Sequence, residues 1–329
     1  LSLNQENPTM TSIPQRALGK SGITVAPLAL GGNVFGWSVK DATGTGRLLD
    51  AFVDGGFNLI DTADVYPAWV RGNQGGESEA LIGQWLTSSG KRNQVVIATK
   101  VAKWGERLGL SPGNIEAAVD DSLRRLGVET IDLYQAHEDD PSVPLEATLG
   151  AFARLIEKGK VRAIGASNYS AQRLAEALQI ARDQNLPRYE TLQPEYNLYD
   201  RAGYEAELEP LVQAEGLAVI SYYSLASGFL TGKYRDAADA AKSSSRGAQV
   251  VKKYLNPRGL KILDALDSVA SAHGATPAQV ALAWLIARDS ITAPIASASS
   301  VAQLEDIMQA ARLSLSAEQI QALETASAP

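Results

Sequence analysis

Four ionisable residues stand where their types and spacing suit proton transfer. They are Asp61 in FNLIDTA, Tyr66 five positions on, Lys100 in IATKV and His137 in DLYQAH. Singly, each has a plain explanation: a turn cap, rim packing before Pro67, a solvated strand-end lysine. Together they form a set. A phenol with pKa near 10 is a weak proton donor at neutral pH. A neighbouring ammonium stabilises tyrosinate and is expected to lower that pKa, moving Tyr66 toward general acid–base work. Lys100 in an apolar run needs a counter-charge, and Asp61 can supply it. His137 then orients a substrate oxygen or relays a proton. The grouping fits protonation of a carbonyl oxygen, with a hydride donor alongside.

The elements that must position these groups alternate along the chain. Strand-like runs fall at 25–32 (VAPLALGG), 57–63 (FNLIDTA), 95–101 (VVIATKV) and 131–137 (IDLYQAH). Four more follow at 161–167 (VRAIGAS), 190–196 (ETLQPEY), 218–224 (AVISYYS) and 291–297 (ITAPIAS). Most are apolar on consecutive residues, as strands buried on both faces are. Amphipathic helical stretches separate them, several stopping at Gly55-Gly56, Gly90, Gly127 or Gly159. Eight such units over about 270 residues predict a closed α/β (β/α)8 TIM barrel, with reactive groups at the C-terminal strand ends. A doubly wound open sheet is the alternative, but no Gly-x-Gly-x-x-Gly turn follows the first strand. Residues 13–24, turning at GKSG, read as an N-terminal β-hairpin. Residues 225–258 read as a long loop after strand seven, basic in its second half.

Composition narrows the function classes. The 329 residues are 45% hydrophobic with a net charge of −7, which fits one barrel domain over 13–329 and disfavours a nucleic-acid surface. With no cysteine and two histidines, thiolate chemistry is excluded and a metal cage is not expected. No apolar run reaches the ~20 residues of a membrane span. Residues 1–12 are expected to be disordered or vector-derived, with Met10 a candidate start, and the protein is expected in the cytoplasm.

From about Arg16 to Leu323 the chain resembles the aldo-keto reductase superfamily. The matching motifs are LGKSGITVAPLALGG, GFNLIDTADVY, GESE, IATKV, DLYQAHEDD, KVRAIGASNYS, LQPEYNLYDR, YYSLASGFLTGKY and SASSVAQLED. The pattern is nearer the bacterial sugar-aldehyde and stress-type members and the potassium-channel β subunits than the mammalian steroid branch. The resemblance implies a catalytic tetrad at Asp61, Tyr66, Lys100 and His137, the four residues reached above. It also implies a dinucleotide site. Ser167, Asn168 and Gln193 would bind the nicotinamide carboxamide, with Tyr222 stacked on its ring. Leu225, Ala226, Ser227 and Gly228 would line the pyrophosphate and Asn33 the ribose, with Asp61, Tyr223 and Ser224 also in the cofactor set. Ser297, Ser299, Gln303 and Asp306 would take the adenosine end.

That end departs from the family pattern. Ala296-Ser297-Ala298 replaces Pro-Gly-Ala, Ser299 and Ser300 stand where many members place a basic residue, and Ile307 replaces an Asn. Lys233 and Arg246, in the loop after strand seven, are then expected to grip a 2′-phosphate. NADP(H) is the expected cofactor, with NAD(H) open. Phe35, Trp37, Trp69 and Trp104 lie in loops on the catalytic face and are expected to pack on a small carbonyl or alcohol substrate. The expected activity is NADPH-dependent reduction of aldehydes or ketones. A cofactor-binding sensor or regulatory subunit with little turnover, and a metal- or phosphate-dependent barrel hydrolase, are the rivals.

Overall fold

The computed structural model describes residues 13–243 and 246–329; the expectations for residues 1–12 lie outside the described residues. Eight strands form the sheet: β1 (Ala29–Gly31), β2 (Leu59–Asp61), β3 (Val96–Val101), β4 (Ile131–Ala136), β5 (Val161–Ser167), β6 (Tyr189–Gln193), β7 (Ala218–Val219) and β8 (Ile295–Ala296). Neighbours run β7-β6-β5-β4-β3-β2-β1-β8, all parallel. The two ends meet. Thr292 and Ala293 donate to the Val219 carbonyl at 2.9 and 3.2 Å, and Ile295 donates to Ser221 at 2.8 Å. This is the expected (β/α)8 barrel, preceded by the expected hairpin, Arg16–Ala17 paired with Thr24–Val25.

Side-chain alternation along the strands builds two separate cores. Leu59, Val96, Ala98, Leu133, Ala163, Ala218, Ile220, Ala293 and Ile295 point inward and pack on hairpin residues Leu18, Ile23 and Val25. The hairpin therefore plugs the N-terminal mouth. Arg16 holds it there, donating to the carbonyls of Ile286, Ile291 and Thr292 at 2.8, 2.8 and 3.3 Å. The outward set, including Ile60, Ile97, Tyr134, Ile164 and Leu192, packs beneath the helices.

The helices stop where the sequence punctuates them. α1 (Ala42–Asp54), α2 (Glu77–Ser89), α3 (Pro112–Leu126), α4 (Leu145–Glu157) and α5 (Ala171–Asp183) follow the first five strands. Gly90 and Gly127 take left-handed φ of 67° and 64° and close α2 and α3. At the end of α1 it is Gly56, φ 90°, that turns the chain, while Gly55 is still right-handed. The segment after β7, expected as loop, contains 3₁₀ turns at Ala226–Thr231 and Ala237–Lys242 and a helix at Gly247–Tyr254. Its buried Val250 and Tyr254 and the capping box at Asp236 account for that order.

Candidate active site

Above the apolar interior layer the inward positions turn polar. Continuing the alternation upward from Leu59, Ala98 and Leu133 brings Asp61, Lys100 and Gln135 inward at the C-terminal strand ends. Lys100 is completely buried, and its Nζ donates to Asp61 Oδ2 at 2.6 Å and to the Thr62 carbonyl at 2.8 Å. The same Nζ lies 3.4 Å from the Tyr66 hydroxyl. Burial alone would pull the ammonium pKa down; Asp61 and the phenol oxygen outweigh it, so it sits above its usual value. Lys100 is a permanent cation here.

On Tyr66 the expected downward pull of Lys100 is present, but burial outweighs it. Burial pushes the phenol up, Lys100 pulls it down and Asp61 pushes it up again, leaving it above 10. The half-buried phenol stays protonated at neutral pH. His137 stands edge-on to Tyr66, ring centres 5.8 Å apart. Burial, then the charges of Lys100 and Lys103, push its pKa well below 6.5, so the imidazole is neutral. Sequence reasoning missed Gln135, whose Nε2 lies 3.4 Å from Asp61 Oδ1 and whose Oε1 accepts from Gln193 at 3.4 Å. Its signal was available, since it lies two residues before His137 and hence on the same inward face.

The GESE motif, Gly76–Glu79, frames the site from below. The Ser78 hydroxyl donates to the Gly32 carbonyl and bonds Thr62 Oγ1, both at 2.8 Å, tying the loops after β1 and β2 together. Buried Glu79 accepts from Thr99 and pairs with Arg125 Nε at 2.6 Å. Beside it Asp64 is fully buried, and neither carboxylate oxygen has a hydrogen-bond partner among the described residues. Burial, then the charge of Glu79, raises its pKa to about 8.

The residues expected at a dinucleotide fall into three groups. Around the barrel mouth, Asn168 donates to the His137 carbonyl at 2.9 Å and to Ser167 Oγ at 3.1 Å, and accepts from the Tyr222 hydroxyl at 2.7 Å. Gln193 spends its Nε2 on Asp61 Oδ1 at 2.9 Å, so its donor side faces the tetrad. Next, the chain bends through consecutive left-handed residues Ala226, Ser227 and Gly228 (φ 48°, 57° and 92°). Lys233 Nζ lies 3.4 Å from where a Gly228 side chain would begin. A left-handed turn beside an ammonium suits an anionic group. Ser224, whose hydroxyl bonds the Ser221 carbonyl, and Ala226 are buried, and Leu225 is partly so. Tyr223 stands half exposed at φ 51°.

At the adenosine end, Ser297 donates to Asn33 Oδ1 at 2.6 Å, joining the tips of β8 and β1. Ser299 is held by Gln303 Oε1 at 3.0 Å through both its amide and its hydroxyl. Asp306 is turned to other work: it accepts from Gln279 at 2.7 Å and Thr276 at 3.3 Å, bracing the neighbouring helix. Lys233 Nζ lies over the Tyr234 ring at 5.1 Å, and Arg246 is within electrostatic reach of the same tyrosine. Arg246 also lies over the Trp37 ring, 4.3 Å from its centre.

The four aromatics separate as well. Trp37 meets Trp69 edge-on at 5.8 Å, and Trp69 meets Tyr66 at 5.6 Å, forming a wall that leads to the phenol. Phe35 is completely buried in the outer core, which removes it from the substrate set. Trp104 donates to the Gln74 carbonyl at 2.7 Å and faces Arg125, so it braces the GESE loop.

A parallel eight-stranded barrel thus carries a buried lysine–aspartate pair beside the Tyr66 hydroxyl at the C-terminal strand ends. The chain belongs to the aldo/keto reductase family, whose model matches residues 27–328. It is 34% identical to a putative voltage-gated potassium channel subunit beta of Schizosaccharomyces pombe, over 91% of this chain and 88% of that protein. It is 32% identical to protein tas of Escherichia coli (92% and 94% covered) and 33% to the uncharacterized oxidoreductase YrpG of Bacillus subtilis (92% of each). Members of the family typically bind a nicotinamide dinucleotide, and the donors around Asn168 and the left-handed turn beside Lys233 fit such a ligand. No helix among the described residues is long and apolar enough to cross a membrane.

Proposed function

We propose that the protein reduces aldehydes or ketones to alcohols with NADPH, Tyr66 giving the proton. The observation that carries this reading is the Lys100 ammonium held between Asp61 and the Tyr66 hydroxyl. A bound reduced nicotinamide supplies the hydride that the carbonyl carbon receives. Tyr66, protonated at neutral pH, hydrogen-bonds the carbonyl oxygen and releases its proton as negative charge develops there. The adjacent fixed cation stabilises the tyrosinate left behind, and Asp61 keeps that cation in place. Neutral His137 supports the same oxygen without adding charge. Trp37 and Trp69 supply an apolar flank beside the phenol. Ser167, Asn168 and Gln193 would orient the carboxamide, Tyr222 would stack on its ring, and Lys233 with the 226–228 turn would hold phosphate.

The test is a panel of aldehydes, ketones and sugars with NADPH and NADH, run on the native protein and on Tyr66→Phe. The variant should lose about 10²–10⁴-fold in turnover while binding NADPH as before. Retention of more than about a tenth of turnover with chemistry rate-limiting would remove Tyr66 as the proton donor. A second reading, a dinucleotide-binding regulatory subunit, draws on the name of the Schizosaccharomyces pombe relative. It keeps the same site but predicts tight NADPH binding with negligible turnover across the panel.

A further inference from the structure

The segment that carries both Asp61 and Tyr66 passes through Asp64. The Asp64 backbone N–H donates to the Lys100 carbonyl at 3.2 Å. Two residues on, the Tyr66 carbonyl accepts from the amides of Gly76 and Ser78 at 3.1 and 3.2 Å. The Asp64 carboxyl is fully buried, and neither oxygen has a hydrogen-bond partner among the described residues. Four charged or titratable groups lie within its electrostatic reach, each from a different element. Glu79 comes from α2, Arg125 from α3, Lys100 from β3 and Tyr134 from β4. Both cations are already paired, Arg125 with Glu79 at 2.6 Å and Lys100 with Asp61 at 2.6 Å. The Tyr134 hydroxyl is likewise buried without a hydrogen-bond partner among the described residues.

A carboxylate in that place would be a buried charge without compensation, so the neutral acid is the stable form at neutral pH. Burial and Glu79 bring its ionisation to about pH 8. His137 is pushed well below 6.5, whereas Tyr66 and Lys100 sit above their usual 10.0 and 10.5, so none of these three changes charge in that interval. Ionising Asp64 acts on the site in two ways that agree in sign. It sets a second negative charge near Lys100, which opposes the tyrosinate formed when Tyr66 gives up its proton. It also draws the carboxylate toward a cation or water, and the backbone passes that movement to Tyr66 two residues away.

Resting on the reductase reading, we infer that Asp64 is a positioning residue for Tyr66. Its neutral carboxyl keeps the 61–66 segment seated against Lys100, and its ionisation turns reduction down at alkaline pH before the phenol or the ammonium titrates.

The measurement is kcat/KM for 4-nitrobenzaldehyde, or the best substrate of the panel, at saturating NADPH, on native protein and on Asp64→Asn. The native value should fall about tenfold between about pH 7 and about pH 9, as one ionisation near 8 demands. Asp64→Asn has nearly the same shape and no proton to lose. Scaled to its own value at about pH 7, it should stay level to about pH 9. Infrared spectra of the native protein give a second readout that needs no variant to fold. A protonated-carboxyl C=O band should vanish with the midpoint of the kinetic fall, and a band that does not titrate overturns the inference. So does a native profile that is flat across the interval, or a fall that persists in Asp64→Asn, and in each case the reductase reading stands. A native protein that reduces no carbonyl with either dinucleotide overturns both.

Discussion

Asp64 is the residue whose chemistry stands apart from the tetrad it adjoins. A carboxyl with no hydrogen-bond partner among the described residues and no solvent is most stable uncharged, and its pKa of about 8 expresses that. In the unfolded chain the same group titrates near 4. Between those values the folded protein binds more protons than the unfolded one, so stability falls as pH rises. The contribution is complete below about pH 4 and is lost as pH passes about 8. Asp64→Asn keeps the shape and removes the titration. Its advantage over the native protein in urea denaturation should therefore widen from pH 5 to pH 8, by up to about 1.4 kcal/mol per unit. A gap that stays constant with pH would show that Asp64 ionises freely in the fold. The sequence points to Asp61, Tyr66, Lys100 and His137 because they are polar groups at the ends of apolar runs. Asp64 escapes such reading, since the DTAD segment says nothing about which of its two carboxyls meets Lys100 and which is left without a partner.

At the scale of elements, legibility followed the kind of force involved. Barrel strands and their helices were readable because burial on both faces and glycine stops leave local marks in composition. β7 and β8 proved shorter than their apolar runs, two residues each, because the closing seam uses single irregular hydrogen bonds from Thr292, Ala293 and Ile295. Where function rests on backbone bent into left-handed φ, the sequence is quieter. Asn168, Tyr223, Ala226 and Ser227 all adopt it without being glycine, each costing about 1–3 kcal/mol that the surroundings must offset. All four lie in the loops expected to meet a dinucleotide. The turn at 226–228 gives Lys233 its place, and it yields a direct test. Lys233→Ala should weaken NADPH by about tenfold or more, the loss of one charge-assisted contact, and NADH far less. Equal losses in fluorescence titrations of the two dinucleotides would place Lys233 at the shared pyrophosphate instead.

Seen whole, the molecule is a ring whose seam joins the beginning of the chain to its end. β1 pairs with β8, and Arg16 fastens the hairpin plug to carbonyls 270–276 residues away. Replacing Arg16 by Met should cost about 2–4 kcal/mol, because three partly buried carbonyls lose a charged donor. That lowers the thermal midpoint by roughly 3–6 °C. A midpoint within a degree of the native value would mean the plug is held by Leu18, Ile23 and Val25 alone. The same seam bears on how the protein is born. A ribosome adds about 5–20 residues per second, so β1 emerges with its outer edge bare and waits on the order of ten seconds or longer for β8. Until then the nascent chain is an open arc with two unsatisfied sheet edges, the feature that most invites pairing between chains. A message cut short before residue 295 would release that arc permanently, leaving it to quality control rather than to slow refolding.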